Sequence, residues 1–163
     1  MKKFVTAVPL QPIERDKSTG VIIKDNLKKN IYEPIGNEKL KYDTETRFPI
    51  IPVINGFVEP NEEIRVIAIQ MDTESSREHT RQLREELNAL KQEKQFLFED
   101  IEVVEIEYRS DVEAQIELFS KLLGYFEDGD RIYGCLTYGV KPVPIAELMS
   151  IQYAYRVLND TSI

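Results

Sequence analysis

The chain has 163 residues, 42% hydrophobic and 31% charged: enough for one packed domain, and not the composition of a disordered segment. No apolar run approaches the ~18–20 residues that cross a bilayer, and one cysteine, Cys135, excludes an intrachain disulfide framework. The net charge of −8 excludes general DNA or RNA binding, although residues 1–50 carry +3 and the remainder −11, so a local basic surface suited to a small anion is left open. A cytoplasmic protein with no metal cluster and no cofactor is the expectation.

Phe4–Leu10 reads as a strand, because Pro9, Gln11 and Pro12 break the apolar stretch that otherwise resembles the start of a signal peptide. Residues 12–46, approximately, form an irregular insertion in which Val21-Ile22-Ile23 and Asn30–Ile35 are expected to pair as a small hairpin. Phe48–Val58 fits a short helix begun at Pro49, with Pro52 and the β-branched residues working against it. Ile64–Met71 is mostly apolar and β-branched, the pattern of a strand buried on both faces. Ser75 and Glu78 have capping-box spacing, and the helix they open runs to about Leu97 with Leu83, Leu87, Leu90 and Leu97 on one face.

The same grammar repeats. Ile101–Tyr108 alternates as a strand; Ser110 and Glu113 suggest a second capping box; Val112, Ile116, Phe119, Leu123 and Phe126 mark a helical stripe ended by Asp128-Gly129-Asp130. A strand over Arg131–Leu136 leads into the loop Thr137-Tyr138-Gly139-Val140-Lys141-Pro142. Pro142 and Pro144 then sit where a helix starts, and Ile145–Leu158 is apolar on most sides, as in a deeply buried or interface helix. Three strand–helix units in a row imply right-handed crossovers and a mostly parallel α/β sheet flanked by helices.

Ligands of such sheets bind beyond the carboxyl ends of the strands, and the loop at Thr137 occupies that position. Thr137 and Tyr138 offer hydroxyls, Gly139 permits close backbone approach, Lys141 offers a positive charge, and the helix beginning at Pro142 adds its dipole and free amides. The same residues also suit a plain tight turn, since no phosphate-loop pattern is present.

Gly134-Cys135-Leu136-Thr137-Tyr138-Gly139-Val140-Lys141-Pro142-Val143-Pro144-Ile145 resembles the strand-loop-helix signature, the DxTHG motif, of CRISPR-associated Rossmann-fold (CARF) sensor domains. Phe4–Leu10, Gly36–Tyr42 and Thr46-Arg47-Phe48-Pro49 resemble the same family, so the likeness spans nearly the whole of 1–163 as one domain. It implies a Rossmann-like fold and the binding of cyclic oligoadenylate, the second messenger of type III CRISPR antiviral defence, across the two-fold axis of a homodimer. It also implies an effector in many relatives, and slow cleavage of the ring in some. Cys135 stands where the motif has Asp and Tyr138 where it has His, which makes binding the expectation and ring-nuclease activity the alternative. A third reading is a dimerisation domain for an effector; Thr161-Ser162-Ile163 looks like the start of a further strand and suggests the N-terminal part of a longer protein.

Position adds further ligand candidates: Gln11 directly after the first strand, and Asn37, Lys39 and Arg47 in a segment able to fold over the pocket. His79 reads as a solvated residue in the first turn of a polar helix, Cys135 as a buried strand residue, and Glu99, Asp100, Glu102, Glu105 and Glu107 as the wet side of an edge strand. Lys24, Lys28 and Lys29 decorate a hairpin or its turn.

Overall fold

The computed structural model describes residues 1–109 and 111–163. Its sheet is built from β1 (Lys2–Ala7), β4 (Ile64–Met71), β5 (Ile101–Ile106) and β6 (Arg131–Cys135), all parallel, in the order β5-β4-β1-β6. The two central strands, β1 and β4, are buried almost throughout, because helices cover both faces. Alternation then divides the core. Phe4, Val66 and Ala68 face α1 (Ile50–Phe57) and α2 (Glu74–Lys94), whereas Val5, Ala7, Ile67 and Ile69 face α3 (Val112–Leu123) and α4 (Pro142–Val157). The expected α/β architecture is what the chain adopts: a parallel, Rossmann-like sheet between pairs of helices.

Two strands needed polar compensation. Lys3 lies fully buried inside β1, and its ammonium pairs with the Asp130 carboxylate at 2.6 Å and donates to the Tyr125 carbonyl at 2.7 Å. The edge strand β5 turns its carboxylates outward to cations and amides, Glu105 accepting from Gln70 at 2.8 Å and Glu102 pairing with Arg65.

The insertion after β1 departs from expectation. Val21–Ile23 does not meet Asn30–Ile35; instead β3 (Ile22–Asp25) pairs antiparallel with β2 (Ile13–Arg15), and Asn30 bridges to Thr46. The nearer partner prevails because Asp16 organises the turn, its carboxylate accepting from the Ser18 and Thr19 amides at 2.9 and 2.8 Å, while Gly20 takes a φ of 71°.

Helix starts differ in detail. α2 is capped by Thr73, whose hydroxyl accepts from the Ser76 amide at 3.2 Å, and not by a Ser75–Glu78 box. Glu78 is engaged elsewhere, with Arg81 at 2.6 Å and Arg15 at 3.1 Å. α2 ends at Gln95 in the left-handed region, so Leu97 leaves the helical face and is 53% exposed. At α3 the expected capping residue Ser110 lies outside the described residues; the Asp111 carboxylate accepts from the Ala114 amide at 2.9 Å. Ser162 forms a single parallel bridge with Arg131.

Candidate functional site

The chain leaves β1 toward β4 and β5 on one side, then returns to β6 on the other. The carboxyl ends of β1 and β6 therefore flank the point where the winding reverses, and a crevice opens there. The loop after β6 crosses it.

Gly139 seats that loop on the sheet. Its φ is 109°, and a β-carbon there would stand 3.1 Å from the Ala7 Cβ and 3.2 Å from the Val143 Cβ. Tyr138, half-buried, touches both core layers and donates its hydroxyl to the Arg47 carbonyl at 3.2 Å. Burial, reinforced by the neighbouring Tyr32, pushes its phenol far above the ordinary range, so it is a neutral donor and not a base. Thr137 is exposed, its hydroxyl 3.5 Å from the Cys135 sulfur. Burial also raises the Cys135 thiol, which removes it as a thiolate nucleophile.

The loop separates two openings. On one side a cleft of about 620 Å³ is lined by Tyr108, Arg109, Gly139, Val140, Lys141 and Pro142. On the other a groove of about 300 Å³ is lined by Tyr32, Glu33, Pro49, Pro52, Leu136 and Thr137, among others. Lys141 is exposed and has no ion pair or hydrogen bond from its ammonium among the described residues. Arg109 is different: Asp111 holds it at 2.8 Å, with Glu107 at 3.5 Å and Glu113 at 3.7 Å, so its charge is already balanced. Tyr108 and Arg109 escaped the sequence reading, although they follow β5 and obey the same strand-end rule.

One expected contribution is smaller than anticipated. Pro142 and Pro144 have no N–H, and the Val143 amide donates to the Val140 carbonyl at 2.8 Å, so the first three positions of α4 offer no free amide. What remains of the anion cradle is the helix dipole and the Lys141 ammonium.

The outlying candidates divide. Arg47 flanks the loop through its carbonyl, while its guanidinium pairs with Glu86 at 3.3 Å and leaves Nε buried without a partner. Gln11 lies just beyond β1, with its side-chain oxygen buried and unpaired. Asn37 is engaged within its own turn, which lends Leu40 to the groove beside Thr137, and the Lys39 side chain points away. Asn37 caps a 3-10 turn at Glu38–Leu40, and the Lys39 ammonium stands 5.6 Å over the Phe57 ring. Phe57 ends α1 beside Lys2, whose ammonium donates to the Phe57 carbonyl at 2.6 Å; that is the amino end of the sheet.

Two buried groups were misjudged or missed. His79 is fully buried, not solvated, because the insertion folds over the start of α2. Glu147 is fully buried on α4 beside Gly134, neither carboxyl oxygen makes a hydrogen bond of normal geometry, and burial, only partly offset by the nearby Cys135 amide, pushes its pKa up to about 9. The one signal for it is a carboxylate inside the apolar run Val143–Ile151. Among the described residues no three His, Cys, Asp or Glu side chains gather to hold a metal, and no helix is long and apolar enough to cross a membrane.

Fold and crevice define an open-sheet α/β protein with a cleft at the carboxyl end of its strands. No family model matches the chain, and neither a curated protein nor a solved structure matches it.

Proposed function

We propose that this chain is a sensor that binds cyclic oligoadenylate as a homodimer in type III CRISPR antiviral defence, through the loop Thr137–Pro142. The observation that carries the reading is Lys141, a cation with no partner among the described residues, in a glycine-seated loop at the reversal point of a parallel sheet. The resemblance of residues 134–145 to the CRISPR-associated sensor motif supplies the ligand class. A phosphate ring presents several anions over a small area, so one cation per copy and local hydroxyls suffice, and a net charge of −8 is no obstacle.

The outer face of α4 supports the two-fold part of the reading. Ile145, Leu148, Met149 and Tyr153 are 45–57% exposed, and the helix's one carboxylate, Glu147, points inward. Two acidic chains can approach along such a face without carboxylates opposing each other. Lys141 precedes the first residue of α4, so pairing two copies with the axis along this helix brings both lysines to one end.

Calorimetric titration with cyclic tri-, tetra- and hexa-adenylate tests the proposal; the expected result is saturable binding of one ring per dimer, and no heat with any ring refutes it. Lys141→Ala should weaken binding about tenfold or more and flatten its salt dependence. Chromatography of the same mixtures reads any ring cleavage, for which neither Tyr138 nor Cys135 supplies a base.

A further inference from the structure

His79 has no exposed surface, and its ring is engaged at both nitrogens. Nδ1 lies 3.0 Å from the Pro9 carbonyl oxygen and Nε2 lies 3.2 Å from an Asp25 carboxylate oxygen. A carbonyl can only accept. Asp25 is also an acceptor: burial opposes its charge, but donation from Gln82 at 2.8 Å, from the Leu27 amide at 2.8 Å and from His79 keeps its carboxyl below the usual range. Two acceptors require two N–H donors, and only the imidazolium has both. In either neutral tautomer a ring lone pair would face an oxygen, at a place where the ring is closed to water.

The ring joins two separate segments. Pro9 belongs to the loop after β1, two residues before Gln11. Asp25 ends β3 of the inserted hairpin. That hairpin buries little of its own apolar surface, Val21 and Ile23 being 60% and 66% exposed. Its other ties are polar as well: Arg15 of β2 pairs with Glu74 at 2.6 Å and with Glu78 at 3.1 Å.

We infer that His79 is a proton-operated latch, clamping the β2–β3 hairpin to the loop after β1 when its imidazole is charged and releasing one of the two when it is neutral. The charged group against the ring is Asp25 from β3; Glu78, the preceding residue on α2, is paired with Arg15 of β2 and with Arg81 one turn on. The latch would operate whatever ligand the crevice takes. It makes the hairpin and the strand-end loop tighter at lower pH and looser at higher pH.

Amide exchange of the whole chain, expressed as protection factors to remove intrinsic pH effects, tests this at about pH 6 and about pH 8.5, on either side of the range where histidines change charge. The Gly20 and Asn26 amides, which close the hairpin onto Asp16 and Pro12, should lose protection about tenfold or more at the higher pH, the equivalent of one charge-assisted hydrogen bond. The Ile67 amide in β4 should not change. In His79→Gln the pH-dependent loss should vanish. Nitrogen-15 shifts of the ring should report two protonated nitrogens at the lower pH and one at the higher. In Asp25→Asn, which removes the carboxylate but keeps an acceptor, that change should come at lower pH. A ring that is neutral at both pH values, an equal loss in His79→Gln, or an unmoved transition in Asp25→Asn would each overturn the latch.

Discussion

Replacing Glu147 with Gln should make the protein more stable at neutral pH, and the gain should depend on pH in a defined way. The carboxyl has no exposed surface and no hydrogen bond of normal geometry, and burial, only partly offset by the nearby Cys135 amide, pushes its pKa up to about 9 from the ordinary 4.5. Below pH 4.5 both the folded and the unfolded chain hold the proton, and the carboxyl is not penalised. As pH rises further the unfolded chain releases it while the folded chain keeps it, so stability falls by about 1.4 kcal/mol per pH unit until the folded group itself ionises. At pH 7 the accumulated loss is about 3 kcal/mol, large against the ~5–15 kcal/mol that hold a domain together. Gln cannot ionise, so its curve lacks this slope; the amide's own unpaired groups add only a constant offset. Urea unfolding of both proteins from pH 4.5 to 7.5, compared as the difference between them, isolates the effect from every other carboxylate. Parallel curves would refute the reasoning and mean that Glu147 is ionised or solvated in the fold.

Gly139→Ala should destabilise the chain by about 1–3 kcal/mol, because the new β-carbon adopts an unfavourable positive φ and presses on Ala7 and Val143; denaturant titration reads it, and a neutral result would mean the loop is not seated on β1. Thr73→Ala should cost about 1 kcal/mol and Ser75→Ala close to nothing, measured the same way, since the α2 cap is Thr73. The reverse ranking would restore the capping box expected from spacing.

Much of the architecture was legible because periodicity is a local property that tertiary packing reinforced. Ile64–Met71 appears as a strand with the same bounds in sequence and structure, since only a strand covered on both faces tolerates so continuous an apolar run. The Thr137 loop was legible for a similar reason: in parallel sheets position alone marks a strand-end loop, and Gly139 carries a conformation that favours glycine. The insertion was not. Its strands are three and four residues long, too short for a period to declare itself, and their pairing was decided by the Asp16 turn.

His79 and Glu147 mark the boundary between the two sources of information. From sequence each is a polar residue on a helix, and a polar residue on a helix belongs in water. Whether water reaches it depends on which distant segment lies across it: the hairpin with Asp25 and the Pro9 loop over His79, and the β6 backbone at Gly134 against Glu147. The same holds for Lys39 and Arg47, eight residues apart in the chain, one against Phe57 at the amino end of the sheet and one beside Tyr138 at the carboxyl end. The order of elements, the sheet and the crevice loop were written in patterns a few residues long. Burial, protonation and the membership of the site come from contacts between segments far apart in the chain, and only the folded arrangement determines them.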